Sequence, residues 1–228
     1  MNDLNIDTQI LYRIIDSIST IDINEMLDNV DHIVAKVTNA DSTGIYTLDD
    51  KSNSVILRAS IIHSDLIGKL TMKMGFGITG WVAEHNKTVS IENNASNDLR
   101  FGRVEELADD LFEAFLSVPI RNGDVVVGVI NIKHKKPNHY SKDIIELIEG
   151  IGKLVGKAID YSILLEKTKN LEETIDTQRK ITKAKGILMQ RKGLSENDAY
   201  HTIMKQAMSK NQSMKTIAEA IITSSSLL

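Results

Sequence analysis

The stretch AFLSVPIRNGDVVVGVINIKHK, Ala114 to Lys135, decides how the first part of the chain folds. Two apolar runs flank Asn122-Gly123, a dipeptide that strongly favours a tight turn between antiparallel strands. Both runs are rich in Val and Ile, which pack well on the pleated surface of a sheet. The sequence therefore predicts a β-hairpin here, and this hairpin is the clearest element of the chain.

Shorter elements are predicted on the N-terminal side of this hairpin. Apolar residues at helical spacing predict helices over Leu4–Ile18 and Asn24–Thr38. Two strands are expected on either side of the turn DDKSNS, and KLTMKM and TVSIE predict two more. Short helices are expected over residues 78–85 and near residues 104–107, the second within a polar, turn-rich segment.

The composition excludes several chemistries. The chain has 228 residues, 42% of them hydrophobic and 4% aromatic, so aliphatic side chains must fill the core. Because cysteine is absent, disulfides, thiolate nucleophiles and Fe–S clusters are excluded. The six histidines show no H-x-x-x-H spacing, so no metal site is predicted. The sequence shows neither a basic leader before an apolar run nor a stretch of about 18 apolar residues, which predicts a cytoplasmic protein without a membrane segment.

The region from residue 20 to about 165 resembles a GAF domain. The motifs that carry the resemblance are GFGITGWVAEHNK, NDLRF, SVPI and GVIN. The resemblance implies an α+β sensor module, with an antiparallel sheet flanked by helices, that binds a small molecule between the sheet and a polar loop. The pocket residues that it implies are Phe76, Trp81, Val82, His85, Asn93, Asn94, Phe101 and Phe115.

What such a pocket would hold stays open. Each of those residues also fits an ordinary core or surface role, and a GAF fold used only for dimerisation is the alternative. Without cysteine the chain cannot attach a bilin or reduce methionine sulfoxide through thiols, and it lacks the signature of cyclic-nucleotide GAF domains. We therefore expect no cofactor other than an unidentified small-molecule effector.

A long helix is predicted from Ser141, a suitable N-cap, to Gln190, because this segment is helical in pattern and contains no proline. Such a length exceeds what one small domain can pack, so we expect a helix that joins two domains. The linker, residues 161–180, is either a weak coiled coil or a partly kinked connector packed on its own domain. Its heptad positions are Tyr161, Leu164, Thr168, Leu171, Ile175 and Gln178.

Positive charge is concentrated near the C-terminus. From Arg179 to Lys215 there are nine Lys and Arg and two acidic residues, whereas the rest of the chain has 18 bases and 29 acids. This asymmetry favours a region that faces a polyanion, and a solvated helix face is the alternative. The segment ITKAKGILMQRKG, residues 181–193, contains several of these bases and no acid.

The last part of the chain predicts a three-helix unit that resembles an ANTAR domain. It comprises the end of the long helix and two short helices capped by Ser195 and Ser213. The resemblance rests on AKGILM, GLSENDAY, KQAM and IAEAII. It implies a transcription antitermination regulator that binds RNA as a dimer, each subunit engaging one of two small hairpin loops in a nascent transcript. Where many relatives have Arg, this chain has Lys205 or Gln206, which removes a planar guanidinium from that position.

RNA loops expose phosphates and unstacked bases, which proteins contact through cations, stacking planes and hydrogen bonds. We expect Ile187, Leu188 and Met189 to face the core of the unit and the bases to point outward. Gly186 serves close approach by RNA or by another helix, and Tyr200 is either a stacking plane or a core aromatic. The candidate RNA-binding residues are Lys183, Lys185, Gly186, Arg191, Lys192, Tyr200, His201, Lys205, Gln206, Ser209, Lys210 and Lys215, and Asn211 and Gln212 are further polar candidates.

The combined prediction is a homodimeric regulator that is not an enzyme, since no catalytic constellation is found. A GAF domain over residues 1–160 supplies the sensory or dimerisation input, residues 161–180 the linker, and residues 171–228 the ANTAR domain. The alternatives are a GAF-regulated DNA-binding factor and a non-catalytic dimerisation scaffold. The connection SKNQS is long for a helix-turn-helix, and the last helix is too apolar to read a DNA groove.

Overall fold

The computed structural model describes residues 22–102 and 111–226, together with Asp16. The chain divides into two compact units, with the boundary after Ser162. The short helix expected near residues 104–107 lies outside the described residues, as does the helix expected over Leu4–Ile18 except for Asp16.

The first unit contains a six-stranded antiparallel sheet with helices, which confirms the expected α+β class. Its elements are α1 (Ile23–Thr38), β1 (Ser42–Asp49), β2 (Ser54–Ala59), β3 (Thr71–Lys73), α2 (Gly77–His85), β4 (Val89–Ile91), β5 (Ala114–Asn122), β6 (Val125–His134) and the first part of α3 (Lys142–Lys192). The strand order is β3-β2-β1-β6-β5-β4.

The hairpin of β5 and β6 lies inside this sheet and is buried along most of its length. Its register pairs Asn122 with Val125, so the turn consists of Gly123 and Asp124. The hairpin is confirmed, and its turn lies one residue later than the expected Asn122-Gly123. Gly123 has a φ of +60°, a left-handed conformation that glycine adopts at little cost, while Asn122 remains paired in the strand.

Helix α1 packs its apolar stripe on the sheet. Asp22 caps its N-terminus, and the Asp22 side chain accepts a hydrogen bond from the Asn24 amide at 2.7 Å. Met26, Leu27, Val30, Ile33 and Val34 are buried in one cluster with residues of β1, β5, β6 and α3. Helices α1 and α2 both end at an asparagine in the left-handed conformation, Asn39 and Asn86.

A second apolar cluster holds α2 against the sheet, and a polar network runs through this contact. Ser117 donates to Asn131 Oδ1 at 2.7 Å, and Asn131 Nδ2 donates to Thr79 Oγ1 at 2.7 Å. All three residues are buried, so the network satisfies polar groups that would otherwise be costly there and links α2 to strands β5 and β6.

Helix α3 is continuous for 51 residues, and Ser141 caps it by accepting a hydrogen bond from the Ile144 amide at 3.3 Å. In the first unit it lies unusually close to β5. A Cβ added at Gly152 would lie 3.0 Å from the Pro119 carbonyl oxygen, and one at Gly156 would clash with the Arg121 carbonyl. The helix backbone therefore contacts the strand backbone directly, which only glycine permits.

The second unit contains the C-terminal part of α3 with α4 (Glu196–Lys210) and α5 (Met214–Ser226). The caps are as expected: Ser195 accepts from the Asp198 amide at 3.2 Å and Ser213 from the Thr216 amide at 3.0 Å. Helix α4 ends at Asn211, which is left-handed. The core residues are Ile181, Ala184, Leu188, Ala199, Ile203, Ala207, Ile217 and Ala218.

One expectation about this core is wrong. Ile187 is only half-buried and Met189 is exposed, whereas Ile181, Ala184 and Leu188 supply the contribution of α3. The buried positions follow a spacing of three and four residues, which keeps them on one face of a helix. Neighbours at 187 and 189 are rotated away from that face.

The segment of α3 that carries the heptad positions is solvent-exposed. Tyr161, Leu164, Leu171 and Ile175 expose 62%, 59%, 63% and 52% of their surface. The segment is therefore not packed on its own domain, as one of the two interpretations required.

Among the described residues no helix is long and apolar enough to cross a membrane.

We predict that Gly156→Ala destabilises the first unit by about 1–3 kcal/mol, because the added methyl group overlaps the Arg121 carbonyl. The matched control is Gly150→Ala on the same helix, where a Cβ would meet no atom within 4 Å. This control should stabilise the helix by about 0.5–1 kcal/mol. Urea unfolding of the full chain measures both changes, and equal effects of the two substitutions would contradict the close approach.

Candidate nucleic-acid interface

Internal ion pairs occupy part of the basic region. Lys185 was expected to point outward, but its side chain is only 15% exposed and its Nζ lies 2.6 Å from Glu196 Oε1. This pair lowers the pKa of Glu196. Because the two residues lie on α3 and α4, the pair helps to join these helices.

A second set of pairs joins α3 to α5. Asp176 Oδ2 lies 2.8 Å from Lys180 Nζ and 2.9 Å from Lys215 Nζ, and Lys180 also contacts Glu219 at 2.7 Å. Hydrogen bonds from Lys180 and Lys215 lower the pKa of Asp176 to about 2. Lys215 is therefore occupied within the unit, by an acid that lies outside the segment used to count charge.

The other six bases between Arg179 and Lys215 are exposed, and none forms an ion pair with a described residue. They are Arg179, Lys183, Arg191, Lys192, Lys205 and Lys210. Arg191 donates a hydrogen bond from Nη2 to the Ser225 carbonyl at 2.8 Å, which leaves its other donors available. The folded unit thus retains exposed positive charge after its internal pairs are made.

On α3 the exposed face contains Arg179, Lys183, Gly186 and Gln190, at spacings of four, three and four residues. This face points away from the buried stripe of Ile181, Ala184 and Leu188 because the two sets differ in helical phase. A Cβ at Gly186 would meet no atom within 4 Å. Close packing against another helix of the same chain, one of the two explanations for Gly186, is therefore wrong.

On α4 the exposed face combines cationic, aromatic and apolar side chains. His201, Lys205 and Met208 are exposed on the side opposite Ala199, Ile203 and Ala207, and Met208 exposes 74% of its surface. Tyr200 is 40% exposed and contacts the His201 ring edge-on, with 6.1 Å between the ring centroids. Tyr200 is therefore not a buried core aromatic, and its ring is accessible for stacking.

The remaining candidates lie on or just after α4. Gln206, Ser209 and Lys210 are exposed, as are Asn211 and Gln212. The Ser209 hydroxyl donates to the Gln206 carbonyl at 3.1 Å, so it is already used within the helix. Arg179, Gln190 and Met208 were not among the candidates, although helical spacing from Lys183 and Lys205 would have found them.

The residues named for a pocket in the first unit occupy three different settings. Trp81, Val82, Phe101 and Phe115 share the apolar cluster beneath α2, whereas Phe76 is exposed beside Gly102. Asn93 and Asn94 are exposed, and the Asn94 amide donates to Glu113 Oε2 at 3.0 Å. The structure thus brings four of the eight residues together in one cluster, and His85 is joined to them by its contact with Trp81.

Trp81 is covered on its ring faces by polar neighbours. The His85 ring stacks on it at 4.2 Å between centroids, and the Arg100 guanidinium lies 5.0 Å from the Trp81 centroid. Asp98 orients Arg100 by two hydrogen bonds of 2.8 Å, which lowers the pKa of Asp98. The Asp-x-Arg motif therefore positions a cation over the tryptophan.

Among the described residues there is no group of three or more His, Cys, Asp or Glu that could hold a metal.

Comparison with protein families gives two matches along the chain. A family model described as GAF domain matches residues 20–160, and one described as ANTAR domain matches residues 169–222. The GAF domain of a phosphoenolpyruvate-protein phosphotransferase from Coxiella burnetii is a similar solved structure. It covers 73% of this chain and 99% of that one with a TM-score of 0.67 and 20% identity, so it shows the fold.

The basic C-terminal region is also similar to curated regulators. Transcriptional regulatory protein PdtaR of Mycobacterium tuberculosis is 30% identical over 79 residues, which are 35% of this chain and 38% of that protein. The Nitrate regulatory protein of Klebsiella oxytoca is 39% identical over 54 residues, 24% of this chain and 14% of that protein. The chain thus spans less than two fifths of the length of each of these relatives.

We predict that Gly186→Ala raises the free energy of unfolding of the second unit by up to about 1 kcal/mol, because alanine is the better helix former and no neighbour is displaced. Thermal unfolding of the full chain followed by circular dichroism measures the change. Ala184→Gly is the matched control and should be destabilising, since Ala184 is completely buried. A destabilised Gly186→Ala protein would mean that another surface packs on this position.

Proposed function

Because the chain belongs to the GAF domain family and carries a C-terminal ANTAR domain, we propose that it controls transcription by binding RNA hairpin loops through its second unit. In this proposal the bound RNA adopts an antiterminator structure instead of a terminator hairpin. Relatives of the C-terminal region that are named as regulators support a regulatory role.

The observation that carries the proposal is the surface left over when the core and the internal ion pairs are complete. It retains six exposed bases, an accessible Tyr200 ring and the exposed His201 and Met208. Cations neutralise phosphates, and planar or polarisable side chains stack on unpaired bases. A hairpin loop offers both kinds of group, whereas the grooves of a regular A-form duplex hide most of its base edges.

The two exposed faces suit different parts of a loop. On α3, Arg179 and Lys183 precede Gly186 on the same exposed face, and at Gly186 the helix backbone is open to close approach by a sugar-phosphate chain. On α4, Tyr200 and His201 are placed to stack on bases, with Lys205 beside them for a phosphate. We therefore assign phosphate contacts to α3 and base contacts mainly to α4.

Antitermination by paired loops requires two copies of the chain. We propose that the exposed stripe of Tyr161, Leu164, Leu171 and Ile175 pairs with the same stripe of a second copy as a short coiled coil. An unpaired apolar stripe of this kind is unfavourable in water, and its heptad spacing matches the repeat that helices use for mutual packing.

The first unit is proposed to supply the input, as an effector-binding or dimerisation module. Its four clustered pocket candidates include Trp81, the only tryptophan of the chain, so an effector bound there would alter tryptophan fluorescence. Helix α3 contributes Ile148, Ile151 and Val155 to the core of the first unit. A change in that packing acts directly on the helix that continues into the ANTAR domain.

We predict that Lys183→Ala and Lys205→Ala each weaken hairpin RNA binding severalfold and reduce the slope of log K against log salt by about one. Each substitution removes one exposed cation without breaking an ion pair. Lys157→Ala, an exposed lysine of α3 in the first unit, is the control and should leave both quantities unchanged. Fluorescence anisotropy at several salt concentrations provides the measurement.

The same titrations test the competing function. A duplex DNA of equal length should bind more weakly than the hairpin RNA at every salt concentration. Tighter binding to duplex DNA would support the DNA-binding alternative, and the absence of nucleic-acid binding at low salt would support a dimerisation scaffold.

We predict that Leu171→Asp converts a dimer into a monomer, because it places a charge in the centre of the apolar stripe. Asn170→Asp adds the same charge at the adjacent exposed position and should leave the dimer intact. Analytical ultracentrifugation separates the two outcomes. Dimers of equal stability in both variants would exclude this stripe as the interface.

A further inference from the structure

A buried carboxyl group lies between α1 and the sheet of the first unit. Asp31, on α1, has no exposed surface, and neither of its carboxylate oxygens has a hydrogen-bond partner of ordinary geometry. The hydroxyl oxygen of Thr43, on β1, is buried and unpartnered as well. Within the part of the chain that the structure describes, these are the buried side-chain polar atoms left without a partner.

An ionised carboxyl group in such a place is costly, because it loses its hydration and gains no hydrogen bond in return. Burial raises the pKa of Asp31 to about 6. The Thr43 hydroxyl, the nearby His32 and the Ile61 backbone offset part of this rise, and Asp28 adds to it. The group therefore changes its charge at a pH close to neutral.

The ionisable groups of the neighbouring elements are already engaged or exposed. On α1, Asp28 and His32 are exposed and lie 3.8 Å apart. On β2, the Arg58 Nε donates to Thr47 at 3.0 Å, and before β1 the Asp41 carboxylate accepts from the Lys135 amide at 2.7 Å.

Further groups lie on β6, where His134 Nε2 contacts the Thr38 carbonyl of α1 at 3.1 Å, and in the segment after β2. His63 follows β2, in the segment that includes Ile61. The Ser60 hydroxyl donates to the Thr43 carbonyl at 2.9 Å, so Ser60 is used by the backbone of β1. No base from these elements forms an ion pair with Asp31 among the described residues.

We propose that Asp31 and Thr43 form a proton switch between α1 and the sheet. With one proton taken up from solvent, the neutral carboxyl donates a hydrogen bond to Thr43 Oγ1 and holds α1 on β1. Release of that proton to solvent leaves a buried negative charge that the Thr43 hydroxyl offsets only in part, and this charge weakens the contact between α1 and β1.

The position of the switch gives it a mechanical consequence. Val30, Ile33 and Val34 are neighbours of Asp31 on α1, and they share one apolar cluster with Ile148 and Val155 of α3. Looser packing of α1 therefore removes support from α3 within the same core. This inference concerns the first unit alone and does not depend on RNA binding.

The sign of the pH dependence follows from proton linkage. Since the folded protein binds the proton more tightly than the unfolded chain, the stabilisation is fully present below about pH 4 and is lost as the pH rises through about 6. Between pH 5.0 and 7.5 the unfolding equilibrium constant should rise about tenfold from this group alone.

The test compares the full-length wild type with Asp31→Asn, whose neutral amide mimics the protonated group, in urea unfolding at pH 5.0 and 7.5 and constant ionic strength. Asp31→Asn should lose this tenfold dependence and be the more stable protein at pH 7.5. The control Glu25→Gln, at an exposed position of the same helix that does not act on Asp31, should retain it. A pH dependence that is unchanged in Asp31→Asn would overturn the proposal.

A direct titration keeps the proposal testable if Asp31→Asn fails to fold. The carboxyl carbon of Asp31, observed by NMR in the wild type between pH 4 and 8, should titrate near pH 6. A midpoint below pH 5 would refute the switch. A second result would also refute the switch. If the stability of the wild type at pH 7.5 differed between sodium and potassium salts, while that of Asp31→Asn did not, the Asp31 carboxylate would be binding a cation.

Discussion

The arrangement of the second unit depends on three alanines that are completely buried, one on each helix. Ala184, Ala199 and Ala218 allow α3, α4 and α5 to approach closely around a small aliphatic core. Once these positions face inward, the helical repeat of 3.6 residues decides which side chains face solvent. The exposure of Lys183, Gly186, His201 and Lys205 is therefore a result of core packing, and the proposed interface is the outer surface of that core.

Charge in the folded unit differs from charge in the sequence because ion pairs form between helices. Lys185 forms an ion pair with Glu196 across the turn between α3 and α4, and Lys180 and Lys215 both pair with Asp176. Neither Asp176 nor Glu219 lies within the segment whose charge was counted, so the count overstated the available cations. The partners of these lysines depend on how α5 packs against α3, which periodicity alone does not predict.

Most of the secondary structure could be predicted because its signals are local. Hydrophobic spacing located α1 and α3, the Asn-Gly dipeptide located the central hairpin, and Ser141, Ser195 and Ser213 act as the expected caps. The errors concern which face of a helix is buried, as for Met189, and the setting of side chains such as Tyr200. Tertiary packing also decides where the predicted pocket residues lie. Val82 and Phe115 are part of the core, whereas Asn93 and Asn94 belong to an exposed turn.

Helices α1, α2 and α4 each end on an asparagine with left-handed backbone, where glycine is the commoner choice. Asparagine tolerates this conformation and has fewer accessible states than glycine in the unfolded chain. Folding therefore loses less conformational entropy at each of these three helix C-caps than it would with glycine. The three asparagines therefore favour the positions at which these helices end. They also lower the conformational entropy of the unfolded chain from which both units fold.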